Sequence, residues 1–132
     1  MSTASVEPLS AREFGEALIA AMAAQGTEEI TGTQPQVHRA FRNVLTELTA
    51  NTNLAVDLSD VDYDPLYGLS GWLDEFLARA QRDLLISFPN PSYDRIEIKL
   101  TRGEGEEHLS QYKNDAEVLK RLSSLFVNEL QV

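Results

Sequence analysis

The segment Asp57-Leu-Ser-Asp60-Val-Asp62-Tyr63-Asp64-Pro65 sets four carboxylates within eight residues. Alternating aspartates can turn several hard oxygens towards one cation. A calcium loop of the EF-hand kind needs Asp or Asn at its first, third and fifth positions, Gly at the sixth and a bidentate Glu at the twelfth. Asp60, Asp62 and Asp64 meet the first three requirements, but Pro65 and Gly71 occupy the sixth and twelfth positions. Such a loop can neither make the sharp turn nor close the coordination sphere. It reads instead as a metal-free acidic surface loop in which Asp64 caps, and Pro65 starts, a helix. Tyrosines placed beside exposed charges add apolar contact area with a polar tip. The sequence therefore offers Asp57, Asp60, Asp62, Tyr63, Asp64 and Tyr67 as a patch for a protein partner.

A second constellation is Glu97-Ile98-Lys99, an acid-x-Lys triplet on an alternating strand. With Asp83 before the preceding strand and Glu75 on the helix before that, residues 75–99 resemble part of the core of PD-(D/E)xK nucleases. The resemblance implies that Asp83 and Glu97 would hold Mg²⁺ and Lys99 would orient the attacking water. No strand is visible after the terminal helix to complete that core. Any solvent-facing row such as Arg95-Glu97-Lys99 also produces the triplet.

Other chemistry is thin. Gly68-Leu-Ser70-Gly71 approaches the G-x-S-x-G elbow of hydrolases, but Trp72 stands where the second Gly belongs, so Ser70 reads as a helix cap. The glycines at 103 and 105 lie among glutamates, which oppose a phosphate. His38 and His108 are the only histidines and there is no cysteine, so a zinc site would need both plus distant carboxylates. Both are expected at boundary or surface positions. Arg39, Arg42, Arg79 and Arg82 recur at helical spacing and are expected to pair with carboxylates of the same chain.

The elements that would carry these residues follow from periodicity. Ser10 and Glu13 form a capping box for a helix that Gly26 can close, with Phe14, Leu18, Ala21 and Met22 on one face. Gly15 inside it implies close helix packing. Residues 27–34 read as a polar connection. A second helix starts near Pro35 and carries Val37, Phe41, Val44, Leu45 and Leu48. Leu54, Val56 and Leu58 hint at a short strand. A third helix becomes regular at Ser70 and carries Leu73, Phe76, Leu77 and Ala80. Leu84–Leu100 reads as an antiparallel hairpin turning at Pro89-Asn90-Pro91-Ser92, with Ile96, Ile98 and Leu100 inward and Glu97 and Lys99 outward. Arg102–Gly105 reads as a turn and His108–Tyr112 as a third strand. Asn114 and Glu117 open a terminal helix bearing Leu119, Leu122 and Phe126.

The order α-α-(β)-α-β-β-(β)-α predicts an α+β domain, about four helices on a small two- to three-stranded antiparallel β-meander. Residues 1–9 read as a disordered tail without a signal-peptide pattern, and residues 10–132 as a single domain. A chain of 132 residues suits one such domain. Lys plus Arg number 11 against 21 Asp plus Glu, a net charge of −10, which disfavours a nucleic-acid backbone or an anionic membrane as partner. No apolar run reaches membrane-spanning length. The reading is a cytoplasmic, non-enzymatic interaction protein with no cofactor: a regulator, adaptor, chaperone-like factor or inhibitor bound to a protein partner or forming a homodimer. The alternatives are the nuclease-like enzyme on Asp83, Glu97 and Lys99, and a nucleic-acid mimic whose carboxylates fill a basic groove.

Overall fold

A computed structural model describes residues 8–63, 70–87, 95–112 and 114–130. The fold is α+β. The elements run β1 (Leu9–Ser10), α1 (Ala11–Ala24), β2 (Glu29–Thr31), α2 (Gln34–Asn51), β3 (Val56–Asp57), α3 (Gly71–Arg82), β4 (Ile86–Ser87), β5 (Arg95–Ile98), α4 (Arg102–Leu109) and α5 (Ala116–Leu130). No helix among the described residues is long and apolar enough to cross a membrane.

Helix α1 is the centre of the molecule. Ser10 and Glu13 close its capping box, Ser10 Oγ accepting from the Glu13 N–H at 3.0 Å and the Ser10 N–H donating to Glu13 Oε1 at 2.9 Å. Beyond Arg12, Glu13 and Glu16, its residues are buried, because α3, α4 and α5 all pack on it while α5 also packs on α2. Small residues permit the close approaches. A Cβ at Gly15 would stand 2.5 Å from the Phe76 ring of α3, and one at Gly105 of α4 would run into the Ala20 carbonyl. Gly26 ends α1 at φ 86°, with the Thr27 N–H donating to the Met22 carbonyl. That is a Schellman cap, and its left-handed position suits glycine.

The antiparallel sheet has the order β2-β5-β4, with Ile30 opposite Ile96 and Ile86 opposite Ile98. These four isoleucines form one buried face towards Leu18, Ile19 and Met22 of α1 and Phe126 of α5. Glu29, Glu97 and Lys99 take the opposite side, as period-two alternation requires. Ile96 and Ile98 are buried as expected, whereas Leu100 and Glu97 are half-buried and Lys99 is exposed. The hairpin of β4 and β5 forms; its turn at 89–92 lies outside the described residues.

Two local expectations differ from the structure. The third strand of this sheet is β2, inside what reads as a polar connection, because one apolar residue, Ile30, suffices to seat three residues against β5. The region 102–112 is helical instead of a turn followed by a strand. Thr101 and Glu104 form a capping box there, and Gly105 lets α4 lie directly on α1; Ser110–Tyr112 continue as a 3-10 turn. At the other end, β1 and β3 pair in parallel, Leu9 opposite Val56 and Ser10 opposite Asp57. The expected tail thus contains a paired residue, Leu9, while its residues 1–7 lie outside the described residues.

Candidate functional site

The N-terminus of α3 gathers side chains from three directions. Helix starts leave backbone N–H groups without intrahelical partners, and here those of Ser70, Trp72 and Leu73 find side-chain acceptors. Ser70 Oγ accepts from the Leu73 N–H at 3.1 Å. Asp62 Oδ1 accepts from the Trp72 N–H at 3.0 Å and from Ser70 Oγ at 3.4 Å. His38, on α2, accepts from the Ser70 N–H at its Nδ1, at 2.8 Å. A nitrogen that accepts a backbone N–H carries no proton, so the His38 proton is on Nε2 and is donated to Asp74 Oδ1 at 2.9 Å. His38 is 1% exposed and joins α2 to α3. The boundary or surface position expected for it is thereby corrected: the apolar stripe of α2 rotates it under α3, where both ring nitrogens are satisfied.

The expected partner patch divides into residues bound internally and residues left free. Asp57 Oδ1 accepts from the Ser59 N–H at 3.0 Å and from its hydroxyl at 2.7 Å, a local turn whose hydrogen bonds hold the Asp57 carboxyl below its ordinary range. The Trp72 N–H likewise holds Asp62 below the ordinary carboxylate range, with desolvation opposing it. Tyr63 is half-buried, with the Arg42 guanidinium 5.6 Å from its ring centre. Burial pushes its phenol up to about 12, and its hydroxyl has no hydrogen-bond partner among the described residues. Asp64 and Tyr67 lie outside the described residues. Asp60 is exposed and has no ion pair among the described residues.

Asp60 and Asp62 form one wall of an open groove of about 460 Å³, closed by Gly71, Trp72 and Glu75 of α3. Glu75, like Asp60, has no ion pair among the described residues. Trp72 is held in place by stacking on Phe41 at 6.0 Å and on Phe76 at 5.3 Å, and it borders the groove. Beyond Glu75 the surface changes sign: a smaller hollow has Arg12 and Arg79 beside Trp72, Glu75 and Phe76. Arg39, Arg42, Arg79 and Arg82 were expected to pair with carboxylates, yet none does among the described residues; Arg42 covers Tyr63 instead. The sequence offers Trp72, with Tyr63 and Tyr67, as exposed aromatic surface but does not join it or Glu75 to the acidic patch. The available signal was their spacing of three after a Ser cap, which puts both on one side of a first turn.

The nuclease-like trio is spread over two places. Asp83 caps the C-terminus of α3 and lies 3.6 Å from an Arg12 nitrogen. Glu97 and Lys99 border a separate groove with Glu29 and Arg102. Glu97 stands directly across from Glu29, while Arg95 reaches the Glu29 carboxylate at 3.4 Å. Among the described residues no three His, Asp or Glu side chains are grouped to hold a metal ion. His108 has its Nε2 buried without a partner among the described residues and its ring tilted against Tyr112, 6.0 Å between centres. In comparisons with known proteins, no family model matches the chain, and neither does any curated protein or solved structure.

Proposed function

We propose that this protein is a non-enzymatic interaction module that takes a basic segment of a protein partner in the groove between the 57–63 loop and α3. The observation that carries the reading is the pair Asp60 and Glu75. Neither carboxylate has an ion pair among the described residues, and both line a groove with a fixed tryptophan at its edge. Asp62 adds a third carboxylate, although its Oδ1 is committed to the helix start. Lys or Arg side chains of a partner would find acceptors there, and their aliphatic stems would lie along Trp72. The step from acidic groove to the Arg12 and Arg79 hollow would set the direction of a bound segment.

The chain has one tryptophan, so Trp72 fluorescence reads the groove directly. Titration with a short peptide alternating Lys and Leu is expected to change that fluorescence saturably, more weakly as salt rises. A peptide with Glu in place of Lys is expected to have no effect. Asp60→Asn combined with Glu75→Gln should weaken the basic peptide by about tenfold, the loss of one or two charge-assisted contacts. Equal responses to both peptides, or unchanged affinity in the double variant, would overturn the reading.

A further inference from the structure

A second cavity, of about 280 Å³, opens between the first turns of α2, the outer flank of α3 and β5. Its apolar side is Val37, Leu77, Ala78 and Ile96, and its polar side is Gln34, Asp74 and Gln81, with buried His38 beneath. At 100° per residue, Leu77 and Gln81 lie well round α3 from Trp72 and Glu75, so this cavity is distinct from the acidic groove. Nothing about it depends on the function proposed above.

Asp74 is the feature that needs explaining. Its side chain is 49% exposed, so water alone could satisfy it. Yet two protein donors fix it. His38 Nε2–H reaches Oδ1 at 2.9 Å, and Gln34 Nε2 reaches Oδ1 and Oδ2 at 3.2 and 3.1 Å. His38 is itself oriented by the Ser70 N–H, so a buried chain of hydrogen bonds aims one carboxylate at a cavity. Such support behind a polar group is how binding sites hold acceptors in place before a ligand arrives.

The inventory of free groups selects the ligand. Gln34 has turned its NH₂ to Asp74, which leaves its Oε1 as an acceptor. Gln81, exposed at the rim, can turn a second amide oxygen to the same side. Both His38 nitrogens are engaged, and among the described residues no Lys or Arg borders the cavity. An anion would meet Asp74 with no compensating cation. Among the described residues a divalent metal would find one carboxylate and no free imidazole. The complement of three oxygen acceptors beside an apolar wall is a group with several N–H donors and a short hydrocarbon body. We propose that this cavity binds a small primary alkylammonium compound, with the ammonium on Asp74 and Gln34 and the alkyl chain along Val37, Leu77, Ala78 and Ile96. At about 30 Å³ per water-sized group, the space holds on the order of nine non-hydrogen atoms.

The test is a titration of the full chain with n-butylamine hydrochloride, followed by amide NMR, with 1-butanol and sodium butyrate as neutral and anionic controls. Saturable shifts centred on Gln34, Asp74 and Ala78 are expected for the amine alone. The Kd should be on the order of millimolar, which is what about five non-hydrogen atoms support. Ala78→Leu fills the mouth from an exposed position and should abolish the shifts. Asp74→Asn keeps an oxygen for the His38 proton and so preserves the fold, yet should weaken the amine about tenfold. Asp60→Asn, in the other groove, should leave the amine unaffected, so failure here and failure of the partner-binding reading are separable. Equal shifts with butanol, no saturation with butylamine, or full affinity in Asp74→Asn would each overturn the proposal.

Discussion

Leu84 has φ 63° and 76% of its surface in solvent, two unfavourable choices for a leucine at one position. The cause is the end of α3. The Leu84 N–H donates to the Gln81 carbonyl and the Leu85 N–H to the Ala80 carbonyl, the same pair of bonds that Gly26 and Thr27 make at the end of α1. Both helices thus end in a Schellman cap, but only one has the residue that the left-handed position favours. A Cβ there costs about 1–2 kcal/mol, and glycine returns part of that gain as unfolded-state entropy. Leu84→Gly should therefore stabilise the fold by about 0.5–1 kcal/mol, seen as a higher urea midpoint at constant slope. Leu84→Ala retains a Cβ and should leave the midpoint nearly where it is. If the glycine variant is less stable, the exposed leucine makes contacts that outweigh its backbone strain. The same reading of single residues divides the acidic loop. Asp57 and Asp62 hold backbone groups of their own chain, and only Asp60 is left for a partner among its described aspartates.

Helix α4 shows at the scale of an element why local sequence misleads. Arg-Gly-Glu-Gly looks like a turn because two glycines weaken a helix by about 1 kcal/mol each. Here the tertiary contact decides. Gly105 lets the α4 backbone rest on Ala20, Ala23 and Ala24 of α1, whereas Gly103 has nothing among the described residues within 4 Å of where its Cβ would be. The two glycines should consequently respond in opposite senses to one substitution. Gly103→Ala should stabilise by about 1 kcal/mol through propensity alone. Gly105→Ala should destabilise by about 1–3 kcal/mol, because the new methyl overpacks a close helix contact. Denaturation curves of the two variants check this, and destabilisation by both would mean that α4 tolerates no alanine for another reason. Elements that bury a long stripe, α1, α2, α3 and α5, were legible from periodicity, as was the alternation of β5. Strand β2 was not, since a single buried Ile30 between two exposed residues sets no period. The candidate site was half legible. A loop's charges show in sequence, but Trp72 and Glu75 join it only after α3 folds back, and His38 becomes a buried strut only when α2 and α3 meet.

At the scale of the whole molecule, a net charge of −10 and a few specially placed acids together shape the response to pH. Near neutrality the excess carboxylates repel one another, so mild acidification or added salt should first raise stability. That gain has an acid limit. Asp57 and Asp62 titrate below the ordinary value of 3.8 because they accept backbone and hydroxyl donors in the fold. A carboxyl with a depressed native pKa contributes stability that is present above the unfolded value and disappears as pH falls through the native one. As pH falls below 3.8 and through its lower native value, the Asp62 cap on α3 should weaken, taking the Trp72 environment with it. The alkaline limit has the opposite sign. Burial raises Tyr63 from 10.0 to about 12 and raises Tyr112 as well, with Glu13 and Glu16 adding to the latter. A phenol with a raised native pKa contributes stability that is complete below pH 10.0 and is lost as pH climbs towards about 12. Urea midpoints measured from pH 3 to pH 12 at low and high salt should therefore give a dome displaced to the acid side of neutrality. Salt should lift its neutral and alkaline arm more than its acid arm. Phenolate absorbance recorded alongside should show Tyr63 ionising late and together with unfolding. Early ionisation of every tyrosine without loss of structure would place the Tyr63 hydroxyl in solvent and remove the alkaline limit.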